Sequence, residues 1–419
     1  MNHDVKVRPC RRRGRVLLAW ACLLTVLCCA SNAVANWPPL ELVVARARSR
    51  ALIAVDARGA LRSAQAAAVG ARVSRLQNPY FEIFGDRGAY THDVQIQSNL
   101  WLPIEVGTQR PARIDEANAL VDWRGRSLVD AEARAVGEAV YSYGAVLVAS
   151  ARLSEAERGE DEANVEARYV SGRLDAGDAT LFDQGLAEAE VGRWSQLRAE
   201  AGLELVQARA RLEVLVGLPQ MDRPPEAPCS APTLRQPGDA VRSPEIVSQS
   251  PLVRLLAAEA VYWEANRKRT VAEAYAPLNF VLSLNRGDYG ETRAGGAVAW
   301  TFPITRRNQG EAARAEAEHT RVTDLEGALR ATITVRLRAA YETLAGARTA
   351  IEHVDSTTLP AAQRVVLAAT EGRKAGKVDP VRVVIARRDL AVARSRRLDL
   401  VLIAWRAYGE IAALRGQLP

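Results

Sequence analysis

The chain has 419 residues, a formal net charge of +7 and only 5% aromatic residues. Its first 35 residues hold six basic residues and one acidic residue, so the remainder carries 50 basic against 48 acidic side chains. This near balance removes the argument for nucleic acid as a partner. Four of the five cysteines also lie in that leader, and the single remaining Cys229 excludes an intrachain disulfide or a cysteine metal cluster.

The leader itself has the pattern of an export signal. An apolar run over Val16–Ala30 follows a basic stretch, and small residues occupy positions 33–35. This pattern predicts a secretory signal peptide over residues 1–35. The run is shorter than the roughly twenty residues of a membrane span, although a retained anchor is the alternative. The residues before Cys28 and Cys29 match a lipoprotein site poorly. The rest of the chain is therefore predicted to be exported.

The first half of the mature chain begins with a helix and a hairpin. Residues 37–76 have apolar side chains at helical spacing and no proline after Pro39, which predicts a helix. Residues 80–84 and 94–102 nearly alternate apolar and polar side chains, with turn residues at 85–88. This alternation predicts a β-hairpin within residues 77–104.

A long helical hairpin is predicted over residues 108–216. The stretch from 108 to 170 lacks proline, and a helix of that length spans roughly 95 Å. Apolar residues at 129, 133, 136, 140, 143 and 147 repeat at steps of four and three, which is typical of a coiled coil. Residues 171–178 form the turn before a return helix. Residues 217–251, with eight of the 19 prolines, are predicted to be a linker.

The same order of elements recurs after the linker. The predicted elements are a helix over 252–275, a β-hairpin over 277–303 with strands at 279–285 and 297–302, and a helical hairpin over 308–416 broken only at Pro360. A shift of 204 residues takes Gly172 to Gly376 and superimposes the return helices. The chain is therefore predicted to contain two structural repeats, residues 36–216 and 252–419.

The predicted strands have two different faces. Phe280, Leu282 and Leu284 share one face of their strand, and the other face carries Val281, Ser283 and Asn285. Strands of about nine to eleven residues with aromatic flanks are typical of a membrane barrel. The alternative is a water-soluble β-layer covered by helices.

This whole arrangement resembles the TolC-like outer-membrane efflux proteins, or outer-membrane factors. The resemblance covers nearly all of residues 37–419. It rests on the duplicated layout, on Gln77-Asn78-Pro79, on Pro303-Ile304 with Arg307 to Gly310, and on Gly217-Leu218-Pro219. It implies a mainly α-helical homotrimer in which a 12-stranded β-barrel is continuous with a long α-helical barrel. The compact length is similar to that of the heavy-metal (cobalt-zinc-cadmium) efflux branch.

The resemblance also implies the function and the partners. They are those of a passive exit duct for heavy-metal cations in the outer membrane of a Gram-negative bacterium, with a periplasmic helical part. The duct would contact outer-membrane lipid, a periplasmic adaptor protein and an inner-membrane pump of the RND type. The alternatives are a multidrug or type I secretion duct, or a periplasmic coiled-coil scaffold or adaptor.

Site residues follow from the resemblance alone. The two helical turns would form the periplasmic tip that contacts the adaptor, through Gly172, Arg173, Asp175, Gly376, Lys377 and Asp379. The pore-entrance gate would contain Asp178, Arg382 and Ile385. Relatives often carry Asp six residues after the turn glycine, as at Asp178. Arg382 departs from that pattern, which leaves the charge of the cargo open.

Nothing in the sequence points to catalysis. His92, His319 and His353 have no ligand-like spacing, and neither a phosphate-binding loop nor a nucleophile motif is present. The sequence therefore predicts no enzyme, no cofactor and no resident metal, and the energy for transport would come from a partner.

Overall fold

The computed structural model describes residues 37–87, 94–217, 224, 229–233, 244–287 and 290–418. The predicted signal peptide and most of the proline-rich linker lie outside these residues. Within them the chain is mainly helical with one small sheet, which confirms the coarse fold prediction. No helix in this part of the chain is both long and apolar enough to cross a membrane.

The elements follow one another in the predicted order. They are α1 (Leu40–Arg50), α2 (Leu52–Ala71), β1 (Tyr80–Arg87), β2 (Val94–Ile104), α3 (Gln109–Asp175), α4 (Leu181–Val216), α5 (Pro244–Ser248), α6 (Pro251–Ala272), β3 (Leu278–Arg286), β4 (Thr292–Ala299), α7 (Gln309–His353), a π-helical turn (Val354–Thr358), α8 (Leu359–Lys374) and α9 (Pro380–Arg415). The 67 residues of α3 form one uninterrupted helix, roughly 100 Å long.

The predicted first helix is split in two. Ala51 leaves the helical conformation with ψ 135°, between α1 and α2. Arg58 of α2 donates hydrogen bonds to the carbonyl oxygens of Arg48 and Ser49 at 3.1 Å. These are carbonyls that the end of α1 leaves without intrahelical partners. An arginine of the next helix therefore stabilises a break that periodicity alone does not reveal.

The four strands form one antiparallel sheet in the order β1-β2-β3-β4. The predicted position of the last strand is wrong. The strand predicted over 297–302 begins earlier, because residues 292–296 are in β4, whereas residues 300–302 lie outside it. Gly295 and Gly296 pair with Ser283 and Leu282. Glycine in a strand marks a close approach of neighbouring groups, and a Cβ on Gly295 would stand 2.9 Å from the Ser283 hydroxyl oxygen.

Pro360 does not end the outgoing helix of the second half. It stands in the first turn of α8, directly after the π-helical turn. Proline lacks the N–H for an α-helical hydrogen bond, and its ring crowds the preceding turn. The wider π turn gives the ring room and keeps α7 and α8 nearly continuous.

Helix α3 is the centre of the helical layer, and it packs against α2, α4, α6 and α9. Where α3 crosses α9, a Cβ on Gly137 would stand 2.6 Å from the carbonyl oxygen of Gly409. The two backbones therefore touch with no side chain between them. Beside this crossing, Tyr143 accepts a hydrogen bond from Trp37 at 2.8 Å, and its ring lies 5.8 Å from that of Trp405.

We expect the Gly137→Ala variant to be less stable than the parent protein by roughly 1–3 kcal/mol, because the added methyl group must separate α3 from α9. The matched control is Gly125→Ala in the same helix, where the new Cβ would have no neighbour within 4 Å. That variant should gain up to about 1 kcal/mol from helix propensity. Thermal unfolding of the purified proteins measures both, and equal effects would contradict the close crossing.

Candidate functional site

The sheet presents one apolar face to its surroundings. Cross-strand pairs such as Leu100 with Leu282 and Phe280 with Val298 place apolar side chains on the same side. Eight of them are at least 39% exposed: Phe81, Ile83, Val94, Ile96, Phe280, Leu282, Leu284 and Val298. An exposed apolar surface of this kind marks contact with a partner or a membrane.

The opposite face of the sheet is polar and partly covered. Asn99 is only 6% exposed although it is polar. Its side-chain amide donates to a Glu82 carboxylate oxygen at 3.5 Å and accepts from Gln97 at 3.2 Å, while Trp101 Nε1 donates to the same Glu82 oxygen at 3.3 Å. The sheet is therefore reversed relative to that of a water-soluble protein, in which the apolar face is the covered one.

The first helical tip is closed by a hydrogen-bonded turn around Gly177. The amide of Gly177 donates to the Leu174 carbonyl at 2.9 Å, and the amide of Asp178 donates to the Arg173 carbonyl at 2.8 Å. This pattern requires a residue in the left-handed region, and Gly177 takes it with φ 80°. Gly172, predicted to make the turn, lies inside α3 and is exposed.

Helix α4 then starts with a capping box. Thr180 accepts a hydrogen bond from the amide of Asp183, and the Asp183 carboxylate accepts from the Thr180 amide at 2.9 Å and hydroxyl at 2.7 Å. These hydrogen bonds hold the pKa of Asp183 below its ordinary value. The negative charge of Asp183 therefore stabilises the first turn of α4.

The second tip repeats this geometry around Gly376. Its φ is 69°, and the amides of Gly376 and Lys377 donate to the carbonyls of Arg373 and Gly372 at 2.9 and 2.8 Å. Asp379 accepts from the Val381 amide at 2.8 Å and caps α9. Lys377 and Asp379 are exposed.

The two tips correspond at a spacing of 199 residues rather than the predicted 204. Gly376 matches Gly177, and Asp379 matches Thr180 as the cap of the return helix. Of the predicted gate residues, Arg382 therefore corresponds to Asp183 rather than to Asp178.

All predicted gate residues lie at the exposed ends of the hairpins. Asp178 is in the first turn, whereas Arg382 and Ile385 lie in the first two turns of α9, and all three side chains are exposed. Arg173 donates a hydrogen bond from its side chain to the Asp178 carbonyl at 2.8 Å. The structure thus brings Asp178 and Arg173 together within the first tip.

Ion pairs join the two helical hairpins, and the sequence analysis did not find them. In most of these pairs the first hairpin supplies the carboxylate and the second supplies the guanidinium group. The pairs of this kind between α3 or α4 and α8 or α9 are Glu155–Arg394, Glu166–Arg373, Glu166–Arg387 and Glu190–Arg388. Arg152 of α3 and Asp399 of α9 form a pair of the opposite polarity, at 2.5 Å. The excess of arginine over acidic residues in α9 is the sequence signal for this pairing.

Glu190 is the best enclosed of these carboxylates, with its side chain 10% exposed. Arg388 donates to it at 2.6 and 3.0 Å, and Arg193 of its own helix donates at 3.1 Å. Burial by itself raises the pKa of Glu190, but the hydrogen bonds from Arg193 and Arg388 outweigh it and leave the pKa below its ordinary value. Glu190 therefore holds α4 against α9 in its ionised form.

Resident metal chemistry has no visible basis in the described part of the chain. No group of three or more His, Cys, Asp and Glu side chains is arranged there to hold a metal ion. Cys229, whose pKa burial raises to about 11, is a buried neutral thiol.

No protein-family model matches the chain. A curated relative, the cobalt-zinc-cadmium resistance protein CzcC of Cupriavidus metallidurans, is 29% identical over 326 residues, which are 75% of this chain and 76% of the relative. Among solved structures, CusC matches with a TM-score of 0.77 and 15% identity, over 90% of this chain and 92% of the other. The Campylobacter jejuni outer-membrane channel CmeC matches with a TM-score of 0.76 and 13% identity, over 90% and 86%.

The fold, with its reversed sheet and long helical hairpins, is shared with these solved outer-membrane channels. These similarities in sequence and fold agree with the resemblance to the TolC-like outer-membrane efflux proteins, the outer-membrane factor family.

We expect low pH to weaken the contact between the two helical hairpins, because protonation removes the charge of Glu190. Because its folded pKa is depressed, the ionised carboxylate contributes stability that is present above its unfolded pKa near 4.5 and is lost as the pH falls through the folded pKa. At pH 7 we expect Glu190→Gln to cost roughly 1–3 kcal/mol. Thermal unfolding between pH 7 and pH 3 should show a smaller acid loss in this variant than in the parent.

The control for this pH series is Glu188→Gln. Glu188 is exposed and bonds only within its own helix, to Gln184 at 3.0 Å. It should keep the parental pH dependence. Identical pH curves for the parent and the Glu190→Gln variant would show that the Glu190–Arg388 contact does not set the acid response.

Proposed function

We propose that the protein is the passive outer-membrane duct of a tripartite efflux system that exports heavy-metal cations, and that it works as a homotrimer. The observation that carries the proposal is the reversed sheet, with its exposed apolar face and its polar opposite face. In a bilayer the apolar face contacts lipid and the polar face lines water.

The sheet edges support a closed assembly of several copies. Within the described chain, β1 and β4 each pair on one side only. Backbone groups at an open edge have no partner in hydrocarbon, so membrane strands must close into a barrel. With four antiparallel strands per copy, β4 of one copy and β1 of the next run antiparallel. Three copies give the twelve strands of the proposed barrel.

The helical layer has matching open sides. Helix α4 contacts mainly α3, while α7 contacts α6 and α9, so α4 and α7 lie on opposite sides of the layer. Both carry exposed apolar side chains, namely Leu203, Val206 and Val214 on α4 and Leu325 and Val335 on α7. Packing α4 of one copy against α7 of the next would bury them and continue the barrel into the periplasm.

The similar order of elements in the two halves supports an internal duplication. The return helices α4 and α9 both contain 36 residues and both end at a glycine with positive φ, Gly217 and Gly416. These glycines are again 199 residues apart. We therefore infer two repeats, each made of a strand hairpin and a long helical hairpin.

In the proposed assembly the exposed tips meet the periplasmic adaptor. Arg173 and Asp175 of the first tip, with Lys377 and Asp379 of the second, are the polar contacts, and Gly172 and Gly376 allow close approach. Asp178, Arg382 and Ile385 would line the pore entrance beside them. An inner-membrane pump of the RND type would supply the energy.

The cargo assignment rests on the sequence relative. CzcC is named as a cobalt-zinc-cadmium resistance protein, and it is similar over three quarters of both chains. We test the assignment by growth of a deletion strain, with and without the cloned gene, on zinc, cobalt, cadmium, copper and silver salts and on a panel of drugs and detergents. Metal sensitivity that the gene reverses is the expected result.

The other outcomes separate the rival functions. Sensitivity to drugs or detergents without any metal effect would replace the cargo with that of a multidrug duct. Fractionation of the protein as a soluble periplasmic monomer, instead of heat-sensitive, SDS-resistant trimers in the outer membrane, would favour the scaffold alternative and overturn the duct.

The tip contact is tested by reversing one exposed charge. We expect Lys377→Glu to reduce metal tolerance roughly to that of the deletion strain, because like charges across an interface block docking. The turn itself uses only the backbone of Lys377, so trimers should still form. The control Arg364→Glu changes an exposed charge farther up α8 and should retain full tolerance. Normal tolerance in the Lys377→Glu variant would remove this residue from the contact.

A further inference from the structure

Two segments form a rim at the end of the sheet that faces the helices. Residues 72–76 precede β1, and residues 300–307 follow β4. The start of β1 pairs with Trp101, and the end of β4 pairs with Asn279, which itself pairs with Pro103. Both segments therefore leave the sheet at the same end, on its two outer strands. We call residues 72–76 and 300–307 the basic rim.

The rim exposes large apolar side chains. Phe302 is 64% exposed and Ile304 is 77% exposed, and the Trp300 ring lies tilted against that of Phe302 at 4.4 Å between ring centroids. In the other segment Val73 is 56% exposed and Leu76 is 47% exposed. These side chains continue the exposed apolar face of the sheet towards the helices.

The rim also carries four exposed arginines without acidic partners. Within the described residues, no carboxylate lies within ion-pair distance of Arg72, Arg75, Arg306 or Arg307. The guanidinium of Arg307 donates only to the Pro303 carbonyl, at 3.0 Å.

Nearby acidic residues are already engaged. Glu105 pairs with Arg113, Glu273 pairs with Arg269 at 2.7 Å, and Glu311 lies 4.0 Å from Arg314. The positive charge of the rim is therefore not balanced within this part of the chain, unlike that of the hairpin helices.

This combination has a specific chemical match. An exposed band of aromatic and aliphatic side chains packs against acyl chains and glycerol. Unpaired guanidinium groups beside it donate hydrogen bonds to phosphate oxygens. We propose that the basic rim binds the headgroups of anionic phospholipids in the periplasmic leaflet of the outer membrane. The rim lies where the strands meet the periplasmic helices, which is the level of that leaflet. The proposal depends on the outer-membrane location and not on the cargo.

The probe is phosphatidylglycerol, compared with phosphatidylethanolamine, added to the detergent-solubilised full-length protein. Native mass spectrometry and thermal unfolding measure binding. We expect phosphatidylglycerol to bind more tightly than phosphatidylethanolamine and to raise the unfolding temperature more. Each arginine near a membrane surface contributes roughly fivefold in affinity. The double variant Arg306→Gln/Arg307→Gln should therefore lose roughly 25-fold in affinity for phosphatidylglycerol.

The matched control is Arg364→Gln/Arg396→Gln. These two arginines are also exposed and are also without an ion pair among the described residues, but they lie in α8 and α9 away from the sheet. This variant should keep the parental preference for phosphatidylglycerol. The pair Arg72→Gln/Arg75→Gln tests the other segment separately and should show a comparable loss.

Two results would overturn the proposal. Equal binding of both lipids by the parent protein would reduce the rim to an ordinary apolar contact. An undiminished preference in both rim variants would place the anionic site elsewhere. Equal binding by the parent protein overturns the proposal even if a variant fails to fold, the two rim variants test the location independently of each other, and neither result bears on metal export.

Discussion

The exposed apolar face of the sheet is the constraint on which the rest of the molecule depends. Once that face contacts hydrocarbon, every backbone N–H and C=O of the strands must be paired within protein. The chain satisfies this requirement at the two internal strands but leaves β1 and β4 with one unpaired side each. Additional copies of the chain can provide the missing pairs. In such an assembly the edge strands also constrain the positions of the helices, because each outer strand is connected to a helix.

Small residues let the long helices pack closely, and ion pairs join the two helical hairpins. At the crossing of α3 and α9, Gly137 and Gly409 let the backbones touch, which keeps the layer thin. Farther along, ion pairs join the two hairpins, mostly between a carboxylate of the first and a guanidinium group of the second, as at Glu190 and Arg388, and once with the opposite polarity at Arg152 and Asp399. Each pair forms only when the two partners lie opposite each other, so the ion pairs favour one alignment of the two hairpins.

Patterns with a strong period were readable from the sequence, whereas features set by tertiary contacts were not. The alternation at Phe280–Asn285 and the heptads of α3 depend on local geometry, and both elements form as predicted. The break at Ala51 needs Arg58 from the next helix, and the glycines of β4 need the neighbouring strand, so neither has a local signature. The shift of 204 residues does not hold at the tips, because Ala-rich helices resemble one another at several shifts and so give little information on register. The left-handed glycines Gly177 and Gly376 at the tips, and Gly217 and Gly416 at the helix ends, establish the spacing of 199 residues.

The corrected spacing changes how charge is distributed at the proposed entrance. Arg382 corresponds to Asp183, whose carboxylate is bound to the amide and hydroxyl of Thr180 and is therefore not free to attract a cation. Free charges at the two tips are then mixed, with Asp178 on one turn and Lys377 and Arg382 on the other. A mixed ring neither concentrates cations strongly nor excludes them. In the proposed duct the choice of metal would therefore fall to the proposed pump and adaptor. The duct itself would only have to stay sealed against lipid, open to water and attached at its tip.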